Sequence, residues 1–272
     1  MNLRLDHVAS GWSDHEGIVD AFREVGLDIE YGGEHADGTT QMSLLGFEDG
    51  THLELIAPVG EEAPRRWPAF LRTDGGPCAH ATRVADAAEA AKRAIDAGLP
   101  VDGPHRGGRE REDGTRVEWD ECYLGTDDTR SVLPFVVADR TPRSYRVKPT
   151  PAVANGPLTG IEEVVVAVAD LDGWIDTVER LYRLPTPRLR DDCAIDARVA
   201  SFPGAPLALA EPSGSALTDR LDRYGPAPCA YLLGAGGDPG EAYSLREPRP
   251  WFDRELAWLD DDRLAERVGV VR

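Results

Sequence analysis

Lysine is nearly missing from this chain of 272 residues: of 30 basic residues, only Lys92 and Lys148 are lysines. Against them stand 49 acidic residues, for a formal charge of −19. No basic run is long enough to drive counterion release, so nucleic-acid binding is not expected. An acidic surface almost free of lysine points to a protein adapted to high salt, where screening relieves self-repulsion. No apolar stretch reaches membrane-spanning length, so no membrane partner is expected. The chain opens directly into strand-like sequence, so no leader is expected. The four cysteines, Cys78, Cys122, Cys193 and Cys229, form no CxxC, which removes zinc-finger and thioredoxin readings. Together these absences predict a cytoplasmic protein with reduced cysteines.

What is present is a repeat. LDHVAS (Leu5 to Ser10) reads as a strand. Ser13 and Glu16 suggest a capping box for a helix carrying Ile18, Val19, Phe22 and Val25 and stopped by Gly26. Strands over 27–31, 41–47 and 52–57 follow, with HADGTT and FEDGT as turns. The pattern returns as CAHATRV (Cys78 to Val84) and a helix from Asp86 to Gly98, with Ala87, Ala90, Ala91, Ala94 and Ile95 as its stripe. A third copy starts at Gly160, with Trp174, Ile175, Val178, Leu181 and Tyr182 on one helix face, and closes with APLALAEP (Ala205 to Pro212). A fourth, PCAYLL (Pro228 to Leu233), lacks a helix; WFDRELAWLD reads as its last strand and DRLAERV (Asp262 to Val268) as a terminal helix. Thr141 to Pro157 is proline-rich and aperiodic, as a linker would be. The fold expected is α+β: tandem paired βαβββ units in two domains, 1–142 and 156–272, joined by a linker at 143–155.

His7 on the first strand and Glu54 on the fourth put an imidazole and a carboxylate where two strands of one sheet could bring them together. In order and spacing, LDHVAS, GGEHADGTTQMSLLGFEDGTHLELIAP and REREDGTRVEWDECYLGTDDTRSVLPFVV resemble the vicinal oxygen chelate superfamily (glyoxalases, bleomycin-resistance proteins, extradiol dioxygenases), and most of all its glyoxalase-like domain proteins. The resemblance implies two units curled around one cavity. It also implies His7 and Glu54 as ligands of a divalent metal (Zn, Fe, Mn or Ni), with the second unit supplying the rest. There the pattern slips. Seven positions before Asp14 stands His7, but seven before Asp86 stands Ala79, and His80 lies one step off. At the closing strand Ala138 takes the ligand position and Asp139 is one step off. In the third unit Glu163 replaces the histidine and Ala208 the glutamate, so that half is read as a cover or stabilising partner.

Two functional readings lead, ahead of a structural or regulatory protein whose cavity is filled by side chains. One is a metal-dependent lyase, isomerase or dioxygenase on a vicinal-oxygen substrate, with His7, Glu54 and His80 as metal ligands and Glu54 and His7 as the proton-handling pair. The other is a metal-free protein of the bleomycin-resistance type that binds a small molecule. His7 and Glu54 could instead form a buried polar plug, or a catalytic acid–base pair without metal. Arg109 and Arg111, within the arginine-rich segment His105 to Arg116, are candidate anion clamps for a substrate. His52 and Trp119 are candidate cavity-lining residues. Glu34 and His35 fall in a turn, His15 in a first helical turn and His105 in a loop, all read as surface positions. The partner implied is a small-molecule ligand, and the chain is expected to be a monomer or homodimer.

Overall fold

The computed structural model describes residues 3–35, 38–60, 62–111, 113–126 and 131–272. The first half contains β1 (Leu5–Gly11), α1 (His15–Glu24), β2 (Glu30–Glu34), β3 (Thr40–Gly46), β4 (His52–Pro58), α2 (Pro68–Arg72), β5 (Gly76–Arg83), α3 (Ala87–Asp96), β6 (Val101–Glu110), β7 (Arg116–Leu124) and β8 (Phe135–Asp139). Two short helices, α4 (Arg143–Arg146) and α5 (Pro151–Ala154), lead to the second half. There follow β9 (Leu158–Ala167), α6 (Leu171–Tyr182), β10 (Arg188–Asp192), β11 (Ala197–Ser201), β12 (Leu207–Pro212), α7 (Ser215–Tyr224), β13 (Ala227–Ala235), β14 (Arg249–Trp251), β15 (Arg254–Trp258) and β16 (Val268–Val271). The class is α+β.

Each half forms one eight-stranded sheet with the same order, β2-β3-β4-β1-β5-β8-β7-β6 and β10-β11-β12-β9-β13-β16-β15-β14. In the first sheet β1 runs parallel to β4 and antiparallel to β5. The edge strands of this sheet approach each other through Arg109 on β6, which donates to the Gly32 carbonyl on β2 and, at 2.9 Å, to the Arg146 carbonyl. The sheet is thereby drawn into a barrel-like curl.

The helices follow their sequence signals with two differences. Asp14 caps α1, accepting from Gly17 N at 3.0 Å, while the Ser13 hydroxyl donates to Asp74 at 2.8 Å. Ser13 therefore serves a loop contact and does not cap. On α3 Ala87, Ala90, Ala91 and Ala94 are buried but Ile95, at the edge of that stripe, points to solvent. Gly26 and Gly98 follow the C-caps with φ of 95° and 86°, a left-handed turn that favours glycine. The central residues of the HADGTT turn, 36 and 37, lie outside the described residues.

The C-terminus departs from the sequence reading. Residues 262–267 form turns, Glu266 takes φ 62°, and β16 then pairs in parallel with β13. The fourth unit needs a closing strand beside its first, and the valine-rich segment Val268–Val271 supplies it; tertiary pairing overrides helix propensity here. WFDRELAWLD is likewise a hairpin of β14 and β15.

One apolar core runs through both halves, taking in Val8, Phe22, Leu53 and Ala94 together with Val164, Val178, Leu209 and Tyr231. The inner face of the second sheet is packed with side chains, including Trp251, Trp258, Ala208 and Val165. Polar links cross the junction. Ile161 N donates to Thr51 Oγ1 at 2.9 Å, and Arg220 donates to the carbonyls of Gly75 and Pro77, each at 2.6 Å. The connecting segment is pinned as well. Thr150 exchanges hydrogen bonds with Gly46 on β3, and a Cβ at Gly46 would meet the Lys148 carbonyl at 2.1 Å.

Candidate functional site

The site begins with a bulge. Between Leu5 and His7 the β1–β5 register slips, so Asp6 is an extra residue on β1. Adjacent strand residues normally face opposite ways, but here His7 Nδ1 lies 2.7 Å from Asp6 Oδ1. Asp6 is fully buried. Arg146 grips both its oxygens, at 2.8 and 2.9 Å, and Arg143 adds a contact at 2.5 Å. Asp139 completes the network, accepting from Arg146 Nε at 2.7 Å. Burial pushes the Asp6 carboxyl upward, but the hydrogen bonds from His7 and Arg146 and the guanidinium charge outweigh it and hold it well below the usual range.

On the cavity side, parallel pairing of β1 with β4 sets His7 opposite His52 and Ala9 opposite Glu54. The His7 and His52 rings stack at 4.7 Å with an interplanar angle of 28°. His7 Nε2 lies 3.6 Å from Glu54. His35, read from sequence as a surface turn residue, reaches in: its Nε2 is 3.3 Å from the other Glu54 oxygen and its Nδ1 is 2.8 Å from Thr40 Oγ1. Burial raises the Glu54 carboxyl, but the His35 hydrogen bond and the charges of His35, His7 and His52 bring it down to about 2. Glu54 is therefore ionised at neutral pH. His52 is driven the other way, well below its ordinary value, by burial and by His7.

Glu54 opens into a cavity of about 220 Å³. Trp67, Trp119, Tyr123 and Phe135 wall it, and Arg66 and Glu121 stand at its side. Arg66 pairs with Glu121 at 2.8 Å and lies over the Tyr123 ring at 4.2 Å; Trp119 Nε1 donates to Glu121 at 3.1 Å. Trp67 holds φ 50°, a left-handed conformation at the cavity wall.

The remaining sequence candidates are distributed as follows. Trp119 lines this cavity. His52 lies beneath it, buried against His7. His80 pairs across from Val8, so it takes the face of the helix-side core while Ala79 and Ala81 take the cavity face. It is buried with both ring nitrogens unpartnered among the described residues, and burial together with His7 lowers it to about 3. Asp139 belongs to the Asp6 network. Arg109 and Arg111 line a separate cavity. His15 contacts Ser43 Oγ at 2.9 Å, and His105 pairs with Asp102 from within β6. Sequence reasoning missed Asp6, His35, Arg143 and Arg146; only the bulge and the path of the connecting segment bring them in.

The strand register also tells what the second unit offers. Ala9 stands five residues before the cap Asp14, and Ala81 five before the cap Asp86. Glu54 pairs with Ala9, and Phe135 pairs with Ala81. Phe135, rather than Ala138, thus occupies the position equivalent to Glu54, and Ala79 the position equivalent to His7. Neither can bind a metal. In the third unit Ala208 pairs with Val165, again five before a cap, Asp170. Glu163, at the histidine position, is taken by Ser201, Trp251 and Arg254.

Asp6, His7 and His52 do bring three donor atoms within 4.8 Å of one another. Their chemistry does not fit a metal ion. Both Asp6 oxygens are held by guanidinium groups, whose charge repels a cation. Imidazole binds a metal in its own ring plane at about 2.0–2.1 Å. The planes of two rings stacked at 4.7 Å and tilted by 28° do not meet at that range, so no ion lies in both.

Comparisons with known proteins agree with this architecture. The glyoxalase-like domain family matches residues 5–182. A hypothetical protein from Staphylococcus aureus superposes with TM-score 0.66 at 13% identity, covering 99% of this chain and 98% of that one. A mutant 4-hydroxymandelate synthase from Streptomyces coelicolor superposes with TM-score 0.55 at 11% identity over 99% and 92%. A xylose isomerase-like TIM barrel/4-hydroxyphenylpyruvate dioxygenase fusion protein gives TM-score 0.59 at 15% identity, covering 100% of this chain and 49% of the other. No curated protein matches the sequence. Identities this low speak to fold alone. Matched over well more than half its length and built from paired units in the expected strand order, the chain belongs to the glyoxalase-like domain family of the vicinal oxygen chelate superfamily.

Proposed function

We propose that the cavity over Glu54 binds a compact small molecule, an aromatic or apolar body carrying a positive or hydrogen-bond-donating group, and does so without a chelated metal. The observation that carries this reading is the pairing of Phe135 with Ala81 where Glu54 pairs with Ala9. An aromatic ring in place of the second carboxylate removes a ligand and adds a wall. The cavity, at about 220 Å³, is smaller than the roughly 300–1,000 Å³ of drug-sized sites, which favours a compact ligand. Its floor carries an ionised carboxylate, and its aromatic faces attract cations through their quadrupoles. A carboxyl held near 2 is a weak base at neutral pH, so Glu54 suits an anchoring role better than proton abstraction.

A second reading, a metal-dependent lyase, isomerase or dioxygenase using His7, Glu54 and His80, has the Asp6–His7–His52 cluster in its favour. The guanidinium cover on Asp6 and the stacked imidazoles weigh against it.

Calorimetric titration with phenethylamine, phenethyl alcohol and phenylacetate tests the leading reading. The amine should bind best, and Glu54→Gln should weaken it about 10- to 100-fold, the factor expected for losing a charged hydrogen bond. Equal affinity for all three in wild type, or preference for phenylacetate, overturns the reading.

A further inference from the structure

The two arginines singled out in sequence do not face the aromatic cavity. They line another, of about 270 Å³, on the seam where the edge strands β2 and β6 meet the connecting segment. The two cavities share no lining residue. Four cations border the seam cavity: Arg109, Arg111, Arg146 and Lys148; its acids are Glu30 and Asp113. Arg146 is neutralised by Asp6 and Asp139. The other three have weaker acid partners, Asp113 beside Arg111 and, at longer range, Glu54 toward Arg109. Among the described residues Arg109 donates to the backbone carbonyls of Gly32 and Arg146 and to no carboxylate. Arg111 donates to the Tyr145 carbonyl at 3.1 Å and stands 3.9 Å from an exposed Asp113 carboxylate. Lys148 has no ion pair among the described residues, whereas the other lysine, Lys92, pairs with Asp96 at 2.7 Å.

We propose that the seam cavity is a second binding site, specific for a phosphate group, free or as a phosphomonoester. Two guanidinium forks offer bidentate donors to tetrahedral oxygens, and the Lys148 ammonium adds a mobile point charge. A dianion draws on all three cations, where a monocarboxylate gains from one or two. The site is independent of the ligand assigned to the Glu54 cavity.

The test is calorimetric titration of inorganic phosphate, with acetate as comparator, at low ionic strength. Saturable one-to-one phosphate binding is expected, with acetate weaker. Lys148→Met and Arg111→Met should each raise the phosphate Kd about tenfold, and Asp113→Asn should lower it. Glu54→Gln, whose charge reaches Arg109 only at longer range, should shift it far less than either cation variant, which separates this site from the aromatic cavity. Two independent variants guard against one failing to fold, and thermal unfolding of each confirms its integrity. No saturation by about 10 mM phosphate, an affinity too weak for a built site, overturns the proposal. So does binding that neither cation variant weakens, or tighter binding of acetate.

Discussion

His80 gives the structure its sharpest pH-dependent consequence. Its ring is buried and both nitrogens lack partners among the described residues, and its protonation is displaced from an ordinary 6.5 to about 3. Between those values the unfolded chain binds a proton that the folded chain refuses, so stability falls as pH falls. The loss begins near 6.5, where the unfolded imidazole titrates, and levels off near 3, where the folded one does. From pH 7.5 to 5 this one group should cost about 2 kcal/mol by linkage. His80→Leu removes the titration while keeping a similar volume, and it also removes two unsatisfied buried nitrogens. Urea unfolding of wild type and variant at both pH values, at fixed ionic strength, reads the difference directly provided the m-values agree. The wild type should lose about 2 kcal/mol more than the variant over this range. Parallel losses in the two proteins would refute the assignment of His80 as a buried neutral imidazole.

Other substitutions probe the remaining supports. Arg146→Met leaves Asp6 buried with only Arg143 and His7; breaking such a pair from one side should cost about 3–5 kcal/mol in chemical denaturation. Gly46→Ala places a methyl against the Lys148 carbonyl and should destabilise by about 1–3 kcal/mol, read in the same assay. The double variant Ala79→His, Phe135→Glu restores side chains of ligating type at both second-unit positions; it should gain zinc affinity, measured by calorimetry, that either single variant lacks.

Much of the fold was legible because each unit announces itself locally. Asp14, Asp86 and Asp170 cap three helices, and the strand seven residues ahead of each cap follows from that spacing alone. His7 and Glu54 were legible for the same reason, since parallel pairing of β1 and β4 brings them together. What was hidden depends on register and on long-range path. The bulge that turns Asp6 toward His7 leaves no mark on the alternation of LDHVAS. Arg143 and Arg146 lie in a proline-rich stretch that reads as a linker, yet they close over Asp6 from more than a hundred residues away. His35 looked like a turn residue because its partner, Glu54, is two strands removed. The terminal strand β16 hid behind helix-forming residues just upstream. Phe135 was missed as the equivalent of Glu54 because no local signal fixes where β8 begins to pair with β5.

A metal-free cavity requires that the second unit has given up its share of a metal site. Calorimetric titration of chelator-treated protein with zinc, iron(II), manganese and nickel, in parallel with His7→Ala, tests that most directly. The structure predicts no stoichiometric uptake by either protein. One-to-one binding that disappears in His7→Ala would contradict it and restore the chelate mechanism.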